Sequence, residues 1–267
     1  MLQSLNGPND SRVSQKVAVL KASIDAVTWE EAVGKIQAWV EEKSSRYVCI
    51  CNAHSVVTAA QDPGFYKVIE EADMATPDGA PVAWLMRKLG ALRQERINGP
   101  DLMQRYCFEA SARGESIYLY GGSEATLDTL KNELTRRFPG LKIAGAYSPP
   151  YRELTPEEQE AAIDSINASE AGTVWVSLGC PKQEAWMAAH RGRVNAVMIG
   201  VGAAFDYHAG TIRRAPLWMQ HNGLEWLFRL LTEPRRLWKR YLVTNSLFIW
   251  HAIRQLLQNR VCQNKRS

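Results

Sequence analysis

Between residues 46 and 202 the chain carries six short apolar runs: RYVCICN (46–52), DMATP (73–77), SIYLYGG (116–122), LKIAGAY (141–147), GTVWVSLG (172–179) and NAVMIGVG (195–202). Four of them, from SIYLYGG onward, have the length and residue type of strands buried on both faces. The segments between have helical periodicity. SVVTAAQDPGFYKVIEEA (55–72) reads as helix with a break at Asp62-Pro63, and PVAWLMRKLG (81–90) has proline at an expected first helical position and glycine at its end. Strands alternating with helices predict an α/β fold, a Rossmann-like and mostly parallel sheet flanked by helices.

The pattern changes near residue 217. Leu224, Leu227, Phe228 and Leu231 recur at helical spacing; beyond Pro234 so do Leu237, Tyr241, Ile249, Ile253 and Leu256, interleaved with Arg, Lys and Trp. Two readings are open: a pair of helices packed on the core with basic outer faces, or an interfacial segment lying in a headgroup layer. The expected organisation is a flexible N-terminus (1–16), an α/β catalytic domain (17–216) and a basic amphipathic C-terminal appendage (217–267).

Charge sharpens the second reading. The 267 residues carry a net +4, but residues 229–267 hold nine Lys or Arg against one acid, a net +8, which leaves residues 1–228 at −4. Such a basic end calls for an anionic partner, membrane or nucleic acid. Hydrophobic content of 46% and charged content of 22% are those of a globular protein. The first residues lack the apolar region of a secretory signal, and no apolar run reaches spanning length, so a cytoplasmic location is expected. Cys49, Cys51, Cys107, Cys180 and Cys262 are scattered without paired spacing, which suits reduced thiols rather than a disulfide framework or a zinc site.

Candidate chemistry follows the strands, because ligands of an open parallel sheet bind outside its carboxyl ends. Gly121-Gly122-Ser123, Gly179-Cys180-Pro181-Lys182-Gln183-Glu184 and Gly200-Val201-Gly202 through Asp206 are glycine-bearing turns feeding helices, and together they suit a phosphate. None is a dinucleotide or P-loop fingerprint. Asn52 either caps a helix or hydrogen-bonds a sugar or base. Glu184 suits a first helical turn in any case. Arg96 can meet a diphosphate with its fork of donors. Asp206 either holds a ribose diol or closes a turn, and Asp78, in a Pro-Asp-Gly joint, is either turn chemistry or a catalytic carboxylate. Cys180 near a helix N-terminus admits a nucleophile reading, for which none of the five histidines supplies a triad signature.

Read in order, Asn52, Asp62-Pro63, PDG (77–79), ERINGPDLM (95–103), YLYGG (118–122), LGCPKQEAW (178–186), GVGAAFDYHAGTIRRAP (200–216) and GLEWLFRLLTEPRRLWKRY (223–241) resemble the WecG/TagA/CpsF glycosyltransferase family, glycosyltransferase family 26, across roughly residues 17–242. The resemblance implies an inverting, metal-independent transferase that moves a sugar from a UDP-sugar to a polyprenyl-diphosphate-linked saccharide in bacterial cell-surface polysaccharide synthesis. It implies no cofactor, since the UDP-sugar is a substrate. Asp78 matches the family's proposed general base, and Asn52, Arg96 and Gln183 match its substrate-binding positions. Arg229, Arg235 and Arg236, on the appendage thought to complete the active site, become the candidates for reaching the substrate diphosphate. The implied partners are the two substrates and an anionic membrane surface, with no nucleic acid, and the implied place is the inner face of the cell membrane, peripherally. Family members that use N-acetylmannosamine often read Thr-Pro-Asn where this chain has Ile50-Cys51-Asn52, so the expected donor is of N-acetylmannosamine or glucose type. The competing class is a nucleotide-binding module whose basic tail grips nucleic acid.

Overall fold

The computed structural model describes residues 15–264. Residues 1–14 of the expected flexible N-terminus lie outside the described residues, and Lys16, assigned to it, opens a strand. An antiparallel hairpin, β1 (Lys16–Val19) and β2 (Ala22–Asp25), leads into α1 (Trp29–Glu41). Then come β3 (Arg46–Cys51), α2 (Ala53–Gln61), α3 (Pro63–Glu70), β4 (Met74–Pro77), α4 (Ala80–Lys88) and α5 (Gly99–Arg113). The centre of the chain supplies β5 (Ser116–Gly121), α6 (Glu124–Arg137), β6 (Lys142–Tyr147), α7 (Pro156–Ala168), β7 (Thr173–Ser177), α8 (Lys182–His190), β8 (Val197–Gly200) and α9 (Ala204–Ala209). The chain closes with α10 (Leu217–His221), α11 (Glu225–Thr232) and α12 (Pro234–Asn264).

The six predicted strands form one parallel sheet in the order β4-β3-β8-β7-β5-β6. Alternate residues divide the core into two layers, as a pleated strand requires. Tyr47, Cys49, Tyr118, Val174 and Val176 pack on one face with α2, α3, α8 and part of α12; Val48, Ile117, Leu119 and Trp175 pack on the other with α1, α5 and α6. The expectation for LKIAGAY needs correction. It is a strand but lies at the sheet edge, so β6 is only half-buried, and its Gly145 leaves room for the Tyr118 ring.

Local chemistry explains the boundaries. Asp62 ends α2 and caps α3, its carboxylate accepting the Gly64 and Phe65 N–H groups, and Pro63 occupies the first turn. Ser123 caps α6 through the Thr126 N–H at 3.1 Å. The hairpin β1–β2 went unread in the sequence, since its strands are four residues each and its turn places Leu20 at a φ of 58° with no glycine to announce it. A distant side chain holds that turn: the Gln255 amide accepts the Leu20 N–H at 2.9 Å and donates to the Ala18 carbonyl at 2.7 Å.

The C-terminal segment is three helices rather than the expected pair. Its last helix packs on the core along one face and leaves large apolar residues exposed on another. Leu237, Thr244, Phe248 and Ala252 are buried against the α/β body, whereas Trp238, Leu242, Trp250 and Leu257 are exposed. Among the described residues no helix is long and apolar enough to cross a membrane.

Candidate active site

Strand register builds the site. Cys51 of β3 pairs with Pro77 of β4, so Asn52 and Asp78 are the next residues on two adjacent strands, and the Asp78 N–H donates to the Cys51 carbonyl at 2.9 Å. Val176 of β7 pairs with Gly200 of β8, which brings the turns after those strands to the same edge. Above that edge α11 and α12 close the fourth side. The result is a cleft of about 1100 Å³ lined by Asn52, Asp78, Arg96, Gly179, Gln183 and Gly202 from the body and by Arg229, Arg236, Arg240 and Tyr241 from the C-terminal helices.

Asp78 stands at the floor, partly open to the cleft yet surrounded by protein. Burial pushes its pKa from the ordinary 3.8 to about 6; Arg96, the Gly79 N–H and Arg229 hold it down, while Glu225 pushes it further up. Gly79 follows at a φ of 84°, a conformation that favours glycine, and starts α4 directly beyond the carboxylate. A base whose proton affinity lies near neutrality is suited to taking a proton from an alcohol.

Each remaining candidate has a definite place. Asn52 caps α2, its oxygen accepting the His54 and Ser55 N–H groups at 2.9 and 3.2 Å, so its amide nitrogen is what it can offer the cleft. Gln183 is pinned from both ends: its oxygen accepts the Gly202 N–H at 3.0 Å and its nitrogen donates to Glu184 at 2.9 Å. Glu184 is itself buried, its pKa raised by that burial, and it does not line the cleft. Arg96 lines the cleft while paired with Glu225 at 2.8 Å. Gly179 and Gly202 are in the lining; Gly121 and Gly122 are not. Gly121 has a structural reason of its own, because a Cβ there would lie 2.4 Å from the Ser177 carbonyl oxygen. Asp206 also lies outside the lining and accepts the Thr211 hydroxyl and, through its carbonyl, the Ile212 N–H, as a turn closure does. Of the three C-terminal arginines, Arg229 and Arg236 face the cleft and Arg235 is exposed outside it.

Three contributors were not singled out as site residues from the sequence. Arg240 lines the cleft with its Nε buried and without a hydrogen-bond partner among the described residues; burial lowers its pKa, and Arg229 and Arg236 nearby lower it further. A cluster of cations in that state is poised for an anion. Glu225 joins the two halves of the site by pairing with Arg96 and, at 3.6 Å, with Arg214. Tyr207 lines the wall with the Arg229 guanidinium 5.8 Å from its ring centre. For Arg240 and Glu225 the one available signal was the density of Arg and Glu in GLEWLFRLLTEPRRLWKR, whose individual orientations depend on how the helices dock.

Cys180 does not behave as a nucleophile. Burial and Glu184 push its pKa up to about 12, and its sulfur lies 3.6 Å from the Ser55 hydroxyl. His54, next to it in the lining, is held neutral with a pKa near 4 by burial and by Arg240. Cys49, Cys51 and Cys107 are buried free thiols, and the Cys262 side chain lies outside the described residues. Among the described residues no group of three or more His, Cys, Asp or Glu is arranged to hold a metal ion.

Comparison with known proteins agrees with this geometry. The family model described as Glycosyl transferase WecG/TagA/CpsF family matches residues 17–261. An N-acetylglucosaminyldiphosphoundecaprenol N-acetyl-beta-D-mannosaminyltransferase of Bacillus spizizenii (strain ATCC 23059 / NRRL B-14472 / W23) is 32% identical over 205 residues, 76% of this chain and 77% of that protein. A protein of the same name from Bacillus subtilis (strain 168) is 30% identical over 205 residues, covering 76% and 78%. A match across most of the chain, on the blocks that build the cleft, makes this protein a sugar-transferring enzyme that belongs to the glycosyl transferase WecG/TagA/CpsF family.

Proposed function

We propose that the enzyme transfers a sugar, of N-acetylmannosamine or glucose type, from a UDP-sugar to a polyprenyl-diphosphate-linked saccharide, inverting the anomeric carbon and using no metal. The observation that carries this reading is Asp78, a carboxylate with a pKa near 6 at the floor of a cleft whose opposite wall is built of arginines. The Asp78 carboxylate takes the proton of the acceptor hydroxyl as its oxygen forms the new bond to the anomeric carbon. The bond to UDP breaks on the opposite face. Negative charge growing on the departing diphosphate is met by fixed donors, among them Arg96 and the glycine turns at Gly179 and Gly202, which need no reorganisation as the charge develops. The names of the two Bacillus relatives support N-acetylmannosamine as donor sugar and an N-acetylglucosaminyl-diphosphoundecaprenol acceptor.

The exposed Trp238, Leu242, Trp250 and Leu257, with Arg235, Lys239 and Arg254 exposed on the same helix, support peripheral binding at the inner face of an anionic membrane. That position delivers a lipid-linked acceptor to the cleft. The test is incubation with a panel of UDP-sugars and a short-chain lipid-diphosphate saccharide, with the product identified by mass and its anomeric configuration read by NMR. Transfer with inversion, unchanged by EDTA, is the expected result. Retention of configuration, or loss of activity with EDTA and its return with a divalent cation, would overturn the corresponding part of the mechanism.

A further inference from the structure

The cleft changes character along its length. Asn52, Asp78 and Gln183 stand at the floor with Arg229, Arg236 and Arg240 facing them. Farther along α12 the lining becomes Phe248, Ile249, Ala252 and Ile253, opposed by Pro81, Trp84 and Arg87 of α4, the Arg87 guanidinium donating to the Gln94 carbonyl at 2.8 Å. Phe248 and Ala252 are buried and form a recessed base, whereas Trp84, Ile249 and Ile253 are 42%, 57% and 54% exposed. Ile249 and Ile253 are one helical turn apart, on one face of α12. From Arg240 to Ile253 the helix advances about 20 Å.

Large apolar side chains left in water around one cavity mark a contact for something apolar. That wall is continuous with a cluster of cations, so the occupant is anionic at one end and hydrocarbon at the other. A sugar nucleotide is polar throughout and has no use for the apolar end. A flat membrane surface does not reach a recessed base; the exposed stripe of Trp238, Leu242, Trp250 and Leu257 is outside the cavity and available for that role.

We propose that the groove between α4 and α12 binds the isoprenoid chain of the lipid-linked acceptor, holding the units nearest the diphosphate while the diphosphate lies against Arg229, Arg236 and Arg240. This rests on the reading of the enzyme as a transferase acting on a lipid-diphosphate saccharide. It assigns the chain a recognition role apart from membrane attachment, so acceptor affinity depends on prenyl length in the absence of any bilayer.

Calorimetric titration of the full chain with farnesyl diphosphate, below its aggregation concentration, and with inorganic diphosphate tests this directly. The wild type is expected to bind farnesyl diphosphate much more tightly. Ile249→Ser/Ile253→Ser should reduce that preference about tenfold, as expected for two half-buried aliphatic side chains, and leave inorganic diphosphate binding unchanged. Trp84→Ala, on the opposite wall, should do the same, which guards against a local distortion of α12. Equal wild-type binding of the two diphosphates, or an undiminished preference in both variants, overturns the proposal. Sedimentation with phosphatidylglycerol–phosphatidylcholine vesicles separates the other occupant: Trp250→Ser/Leu257→Ser should lose vesicle binding and keep the farnesyl preference. If the groove variants instead lose vesicle binding and keep the preference, the groove is a membrane face and the proposal fails. A wild type that shows the preference but transfers no sugar to any lipid-diphosphate saccharide would refute the transferase reading and leave the prenyl-diphosphate site standing.

Discussion

Asp78→Asn separates catalysis from stability in a way that few substitutions do. The change is nearly isosteric and removes the base, so turnover should fall by about 10²–10⁴-fold. Stability should move the other way. The folded carboxyl binds its proton near pH 6, the unfolded one near 3.8. A raised carboxylate pKa means that the folded state binds the proton more tightly, so the cost of carrying the ionised group is fully present above about pH 6 and is gone below the unfolded value. That cost is about 3 kcal/mol. An asparagine removes the charge but adds an N–H group that needs an acceptor, at about 1 kcal/mol. The variant should therefore be about 2 kcal/mol more stable at pH 8, a rise in Tm of roughly 4–8 °C, and the gain should vanish by pH 4. Calorimetry across pH 4–8, with turnover followed by UDP release, checks both limbs. A variant that is less stable than wild type at pH 8, or that turns over within tenfold of it, refutes the assignment of Asp78 as a buried base.

Three further outcomes follow from the same contacts. Glu184→Leu removes the acceptor that orients the Gln183 amide, so the KM for the UDP-sugar should rise about tenfold, while Glu184→Gln keeps an acceptor oxygen in place and should stay within about twofold; steady-state kinetics of the pair decide. Arg240→Ala should leave Tm unchanged or raised, because the buried guanidinium Nε lacks a hydrogen-bond partner among the described residues, but weaken acceptor binding about tenfold or more; NMR titration should show the His54 pKa rising from about 4 once that cation is gone. Gln255→Ala should destabilise by about 1–3 kcal/mol through two lost hydrogen bonds and speed amide exchange in both the β1–β2 turn and α12, as read by hydrogen exchange; faster exchange confined to α12 would show that the clamp does not couple them.

The parallel sheet was legible because most of its strands are buried on both faces and announce themselves as apolar runs, with the edge strand β6 the exception. The floor of the cleft was legible for a related reason: Asn52 and Asp78 directly follow strands, Gly179 and Gly202 come two residues beyond theirs, and a strand end has a position fixed by register. Glycine was the weaker guide. Gly121 at the end of β5 and Gly202 beyond β8 both have positive φ, yet one is demanded by the Ser177 carbonyl and the other meets the cleft. Nothing in a single sequence distinguishes a backbone crowded by its neighbour from one open to a ligand. Asp206 shows the same limit, since a carboxylate after GVGAAF closes its own turn at Thr211. Helical periodicity likewise could not say which of Arg235, Arg236 and Arg240 points inward, because α12 presents apolar residues to the core on one face and to the outside on another.

The site is therefore split between two kinds of structure. The sheet edge supplies the Asp78 carboxylate and the glycine turns, all fixed by backbone register, while most of the cationic charge arrives on α11 and α12, fixed by side-chain docking. Glu225 and Arg96 tie the halves together at 2.8 Å, and both act on Asp78 with opposite sign. The proton affinity of Asp78 is thus set partly by residues of the C-terminal helices: Glu225 raises it and Arg229 lowers it. Because burial is the largest cause of the raised value, a cleft left open on that side would return Asp78 toward the ordinary carboxylate range. Such a carboxylate is a weaker base and faces fewer cations. Docking of α11 and α12 consequently completes the charge wall and raises the proton affinity of Asp78 in one step, which on the proposed mechanism ties catalytic competence to these two helices.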